Sequence, residues 1–455
     1  MLAFAPLAAG SVEAWSQMVV VSGSVLLAAI WLIREAVHPE ACAAEREGES
    51  HAGSRSGGLV WPLAALILLG LLQVIPLGSF VGLVSPTAAE IWGLAGVPSR
   101  AMTLSLVRES TLLSLAHLAV MTLLFFAVLN TLRGRREVRR LTVAMVGIGF
   151  GCALYGIIGF FIRGGEAYWR GSAVAGPFGP YVNRNHFAAL MGLIIPLGVG
   201  YLLSLPERRR AEPAADRDAG LGADPGEREV RPRQILVGFM VAVMAGALFL
   251  SLSRGGVISL LFALSLLGLA LGLRRKTRKG VWTWAAAVLC AVAFGLWLGA
   301  GPLLARFESL GAVLHDPAGD VRAKVWNDAA RMAVDFPLFG AGFGAFGEVF
   351  PRYQSAFISL EFVHAHNDWL QLLTETGIAG LVAALALLGR YAGWLLRILR
   401  KRRDEEAILL GLGGLTGLVA FGLHSFTEFN LHIPANALWF TAIAAVTLKA
   451  ALSRI

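Results

Sequence analysis

Charge is scarce in this sequence. Of its 455 residues only 15% are Asp, Glu, Lys or Arg, against roughly a quarter in a soluble chain. An ordinary water-facing globular surface is therefore excluded. Cysteine is nearly absent: Cys42 lies in a polar stretch, and Cys152 and Cys290 lie inside apolar runs. No two of them have a metal-ligand spacing. None falls on the outer face of the topology below, so no disulfide is expected. No basic stretch precedes the first apolar run, from about Trp15 to Val37, and Arg34 closes it instead. That run reads as a retained helix, not a cleaved leader. No internal repeat is evident.

What the chain has in abundance is apolar residues, 56% of the total, gathered in long runs between short charged clusters. Runs of about 20 apolar residues cross a hydrocarbon core of about 30 Å as helices. The expected fold is an all-α polytopic membrane protein, a single membrane domain over 1–455. About eleven spans are read, at 15–36, 59–77, 107–132, 137–162, 185–205, 234–252, 256–273, 281–300, 367–396, 407–423 and 434–453. The formal net charge of +9 sits in arginine runs beside these segments. That pattern belongs to a chain whose partner is the lipid bilayer, and no nucleic acid is expected to bind.

Lys and Arg divide 27 against 11 between the two sets of loops, with Arg390 left inside a helix. The richer set is cytoplasmic by the positive-inside rule, which puts the N-terminus outside and the C-terminus inside. Segment 206–233 is charged and rich in Gly and Pro, the composition of a disordered cytoplasmic loop. The longest outer segment is 301–365, between the eighth and ninth spans. Asp320 is placed to cap a short helix that Pro337 would end. The glycine-rich stretch 337–346 reads as a tight loop against the membrane surface.

Six of the nine histidines fall on the outer side: His186, His315, His364, His366, His424 and His432. Ionisable groups gathered at one face of a membrane protein mark a functional site. They sit within PYVNRNHFAAL (180–190), FVHAHNDWLQLLTETGIAGL (362–381) and HSFTEFNLHIPAN (424–436), joined by SLSRGG (251–256) and DVRAKVWNDAARM (320–332). Arg254, in the turn between two apolar helices, either snorkels to the headgroups or binds phosphate through its planar fork. Arg322 and Trp326, four apart, either stack to support a loop helix, or Arg322 supplies a second phosphate-binding arginine, with Trp326 counted among the substrate-binding residues. His364 and His366, just before Asn367 and Asp368, offer an imidazole general base, or a purely structural pair. His-x-His could also hold zinc, but no third and fourth ligands are near, and no metal or other cofactor is expected. Glu375 is read as an interior polar contact. Asn183, Arg184, Asn185 and His186 form a polar knot at a helix start, and Glu428, Asn430 and His432 form another between the last two spans. Each divides between capping and lining a polar substrate groove.

These stretches together resemble the O-antigen ligase and polymerase family of bacterial membrane glycosyltransferases, over about residues 180–436. HAHNDWLQ with the long outer loop before it is the most specific part; VNRNHFAAL and HSFTEFNLHIPANALWF are similar to the branch found in exopolysaccharide clusters. The resemblance implies a GT-C-like fold in the bacterial inner membrane. It implies a donor glycan carried on undecaprenyl diphosphate and an acceptor hydroxyl on a glycan or lipid-linked sugar. Transfer would be inverting, outside the membrane, without metal or nucleotide. It places the family's two arginines on Arg254 and Arg322 and its histidine on His366, with His364 the alternative. A lipid A core sugar, another repeat unit or a protein hydroxyl remains open as acceptor. From another class, a transporter of a small anion such as bicarbonate would place its polar groups near the bilayer midplane, at broken helices in paired repeats. The polar groups here sit at one face instead.

Overall fold

The structure, a computed structural model, describes residues 1–38, 58–163, 176–205, 230–275, 321–355 and 362–453. Its long helices are α1 (Ala14–Val37), α2 (Val60–Val74), α3 (Arg108–Thr131), α4 (Arg135–Arg163), α5 (Arg184–Ser204), α6 (Val230–Leu250), α7 (Arg254–Arg275), α8 (Val321–Asp335), α9 (Asp368–Lys401), α10 (Glu405–His424) and α11 (Pro434–Leu452). Nine of the described helices are long and apolar enough to cross a membrane; a tenth crossing results if α2 is joined to the short helix after it, bent away by 115°. The all-α polytopic membrane architecture holds. The span expected at 281–300, residues 206–229 of the expected loop, and residues 301–320 (with His315) and 356–361 of the outer segment lie outside the described residues, whereas residues 230–233 of that loop fall in α6.

The bundle is layered by burial. Helices α5, α10 and α11 are mostly buried, whereas α1 and α3 leave most of their surface open. The inner pair is brought together by composition. Lipid tails are as apolar as leucine, so membrane helices associate by close packing at small residues. α10 carries ILLGLGGLTGL, and a Cβ on Gly417 would stand 2.4 Å from the Leu193 carbonyl oxygen of α5; one on Gly413 would stand 2.6 Å from that of Pro196. Only glycine permits this approach.

Arginines fasten one end of the bundle. Arg139 meets Glu406 with both forks, Nε–Oε1 2.9 Å and Nη2–Oε2 2.7 Å. Arg135 pairs with Asp404. Arg274 donates to the carbonyls of Leu399 and Arg402, and Arg402 to those of Ala451 and Ser453. Cations on the unsatisfied carbonyls of helix C-termini offset the helix dipole. All these arginines belong to the Lys- and Arg-rich loop set.

The opposite end carries a second apolar core, distinct from that of the bundle. Val325, Ala329, Met332 and Phe336 of α8 and the turn after it pack with Phe346 and Phe350, and with Val81, Ala88 and Leu104 of the segment between α2 and α3. The contribution of 75–107 was not legible in the sequence, which showed only a gap between two spans. The Gln73 side chain joins the two parts: Nε2 donates to the carbonyls of Phe339 (2.5 Å) and Glu375 (2.8 Å), and Oε1 accepts from Phe343 N (3.0 Å). The glycine-rich loop seats against a kink in α9 at Gly377 (φ 62°), where a Cβ would meet Leu338 C at 2.4 Å.

Candidate active site

Helix parity brings the start of α5, the α6–α7 turn, the start of α9, the α10–α11 turn and α8 to one end of the bundle. Two of these starts are capped by asparagines. Asn183 accepts from Asn185 N (2.8 Å), and Asn367 accepts from Trp369 N and Leu370 N (both 3.1 Å). An Asn oxygen satisfies amides that lack an intrahelical partner. Both side chains therefore place their neighbours. Asn183 sets the direction of Arg184, Asn185 and His186, and Asn367 that of His366 and Asp368.

Glu428 is the centre. Its side chain is 1% exposed, yet four groups from three other elements reach it. Arg322 Nη2 of α8 lies 2.5 Å from Oε1, as does Asn185 Nδ2 of α5. His366 Nδ1 lies 3.3 Å from Oε2, and His186 Nε2 3.8 Å from it. Burial pushes the Glu428 carboxyl up, but the His366 hydrogen bond and the Arg322 charge override this and hold it at about 2. It is an anion at every physiological pH.

Phe429, the next residue, is ringed by imidazoles. His364 stacks on it (centroids 4.4 Å, 24°), while His366 (4.8 Å) and His186 (4.7 Å) meet it edge to face. His366 sits in left-handed backbone, φ 51°, a costly conformation for a residue with a Cβ, and one found where function over-determines the geometry. The two candidate bases differ in their surroundings. His364 Nδ1 faces Gln371 Nε2 at 3.3 Å, an amide donor, so that lone pair is engaged. Burial holds this ring down at about 2, with the His432 and His366 rings adding to the effect. His366 instead turns Nδ1 to a carboxylate, which makes Nδ1 the donor and leaves the lone pair on Nε2.

A second carboxylate braces the same turn. Asp368 Oδ1 lies 2.9 Å from His432 Nδ1, and Oδ2 accepts from Leu431 N at 3.1 Å. The Asp368 amide donates to the carbonyls of Ser425 (2.9 Å) and Glu428 (3.3 Å). Burial pushes the His432 ring down, and the Asp368 hydrogen bond and charge override that in the upward direction. Gln371 Nε2 lies 3.1 Å from His432 Nε2 and donates to Glu375 Oε1 at 2.9 Å. Glu375 also accepts from Gly344 N at 2.9 Å, so it ties α9 to the glycine-rich loop. Asn430 is fully buried, and neither of its side-chain polar atoms has a hydrogen-bond partner among the described residues.

The structure gathers His366, Arg322, Asn185, His186 and Glu428 into one contact set, with His364, His432 and Asn430 adjoining. Trp326 Nε1 donates to Ala365 O at 3.0 Å, which pins α8 to the histidine segment. Arg254 begins α7, and its turn packs on the same loop. A Cβ on Gly255 would meet Thr427 Oγ1 at 2.7 Å and His424 Cδ2 at 2.9 Å. Asp368, Gln371 and Phe429 were given no role by sequence reasoning. Asp368 stood in the HAHNDW motif but reads as an ordinary first-turn acid, and a lone Phe reads as core. No group of three or more metal-ligand side chains is found among the described residues.

Comparison with known proteins finds similarity over part of the chain. Residues 239–385 match the family described as O-antigen ligase. That stretch holds Arg254, Arg322, His364 and His366. The chain is also similar to the exopolysaccharide production protein ExoQ of Rhizobium meliloti (strain 1021), 29% identical over 210 residues, 43% of this chain. The match spans about half of that relative, 47% of its length.

Proposed function

We propose that this chain, whose residues 239–385 carry the O-antigen ligase family's signature, is a polyprenyl-diphosphate-dependent glycosyltransferase of polysaccharide biosynthesis. Its active end would face the periplasm from the inner membrane. The donor would be a glycan on undecaprenyl diphosphate and the acceptor a sugar hydroxyl. The observation that carries this reading is the convergence on Glu428 of a cation from the outer loop and an imidazole from the start of α9.

In this reading Glu428 orients His366 so that Nε2 takes the proton of the acceptor hydroxyl. The acceptor oxygen attacks the anomeric carbon as the bond from that carbon to phosphate oxygen breaks, and the electron pair leaves with the diphosphate. One displacement inverts the carbon. Arg322 and Arg254 hold the diphosphate and stabilise its developing charge. Arg322 donates through Nη2 to Glu428, and a guanidinium fork carries five donors in all. Diphosphate needs no general acid to depart. Asn185, His186, Trp326, Asn430 and His432, with Asn183, Arg184, His364 and Asn367, shape the groove in which the sugars lie. The name of the exopolysaccharide relative favours a growing polysaccharide as acceptor over a lipid A core sugar.

The test is transfer of a labelled undecaprenyl-diphosphate oligosaccharide by purified protein in detergent with EDTA. Wild type should release undecaprenyl diphosphate and form a new glycoside, and Arg254→Ala, Arg322→Ala and His366→Ala should not. Wild-type protein that transfers to no acceptor class, or variants that match it, would overturn the assignment and favour the anion transporter.

A further inference from the structure

We propose that the segment between α2 and α3 lies in the lipid headgroup region and forms the membrane-facing base of the outer subdomain, with a lipid surface as its partner. α2 ends at Val74 and α3 begins at Arg108, at the same end of the bundle. The 33 intervening residues, 75–107, contain two charged residues, Glu90 and Arg100. The chain turns by 115° on leaving α2, and the segment closes on itself through Leu77 N to Met102 O (2.9 Å) and Trp92 Nε1 to Thr103 O (2.8 Å).

Its two faces differ. Val81, Ala88 and Leu104 pack inward beneath Val325, Ala329 and Met332 of α8, the helix that carries Arg322. On the other side Leu83 is 78% exposed, Leu94 74% and Phe80 52%. Apolar exposure of this kind is unfavourable in water in proportion to its area. Here it continues the uncovered apolar surface of α2, where Leu68, Leu71 and Ile75 are also exposed. A surface of large aliphatics and Phe that extends sideways from α2, fixed at both ends to one end of the bundle, fits the acyl–headgroup region. Water does not fit it, and a closed self-bonded segment with Glu90 is not placed to cross the core.

The experiment uses full-length protein in lipid nanodiscs, with Cys42, Cys152 and Cys290 replaced, and does not depend on enzymatic activity. A fluorophore is attached at Leu83→Cys, Leu94→Cys or Phe80→Cys, one at a time, and quenched by lipids brominated along the acyl chain or by an aqueous quencher. Leu26→Cys in α1 and Asn327→Cys on α8 give the core and water references. Three sites guard against one label disturbing the fold. Quenching by shallow brominated lipid, between the two references, is expected. Aqueous quenching equal to Asn327→Cys would overturn the proposal, as would deep quenching equal to Leu26→Cys, which indicates a re-entrant segment. Labels shielded from both quenchers, together with label–label energy transfer in doubly occupied discs, would also overturn it and assign the face to a second copy of the chain.

Discussion

Glu428 is the residue on which the site's charges converge. A carboxylate removed from water is tolerated only when its partners supply what water did. Glu428→Ala strands Arg322 and His366 around an empty position, and is expected to lower transfer at least about 100-fold, the range for a misaligned general base. Glu428→Gln keeps the shape, and should retain Asn185 contact but lose most of the activity; steady-state transfer rates check both. The pH dependence of stability has a definite sign. The folded carboxyl is held at about 2, below the unfolded ~4.3, so its contribution is fully present above about pH 4.3 and is lost as the pH falls towards 2. That contribution is on the order of 3 kcal/mol. Thermal unfolding in detergent between pH 6 and pH 3 should therefore show an acid loss of stability that is smaller in Glu428→Gln. An equal loss in both proteins contradicts the assignment. The two histidines should also part company. His364→Ala removes a ring stacked on Phe429 and is expected to cost less than about 10-fold, whereas His366→Ala costs at least about 100-fold. Reversal of that order would move the base to His364.

At the scale of elements, what could be read in advance and what could not have separate physical causes. Membrane crossings are written in local composition, because the bilayer core demands a continuous apolar run, and α1, α3, α4 and α11 follow from that. Helix starts are written locally as well, as Asn183 and Asn367 show. The segment 75–107 is not, since it is apolar without being long enough in one direction to cross, and only its packing under α8 reveals its place. The candidate site was partly legible because its histidines and arginines are conspicuous in a chain with so little charge. The pairing of Arg322 with Glu428, 106 positions away, was not, because it depends on how helices meet. The same holds for Trp326, whose Nε1 donates to a carbonyl 39 positions away. Gly377→Ala offers a test of the α9 kink. Alanine at φ 62° with its Cβ against Leu338 C is expected to destabilise by roughly 1–3 kcal/mol. Gly147→Ala in α4, with open space around it, should be neutral or slightly stabilising. Thermal melts of the two variants compare them directly.

For the whole molecule, orientation and reaction are linked. The arginine-fastened end, with Arg139–Glu406 and the Arg402 contacts, is the end expected in the cytoplasm, and the Glu428 cluster lies at the other. A membrane-impermeant thiol reagent applied to spheroplasts should label Asn327→Cys without lysis, and label Arg136→Cys only after it. The opposite pattern would invert the topology and place the chemistry where no periplasmic acceptor can reach. The most direct measurement of the central claim separates donor binding from transfer in purified protein, with a labelled undecaprenyl-diphosphate oligosaccharide under single-turnover conditions. The account predicts that His366→Ala binds the donor as tightly as wild type and transfers it at least about 100-fold more slowly. It also predicts that Arg322→Ala loses roughly 10- to 100-fold in donor affinity, the worth of a charged hydrogen bond to phosphate. Wild-type transfer by His366→Ala, or undiminished donor binding by Arg322→Ala, would contradict it.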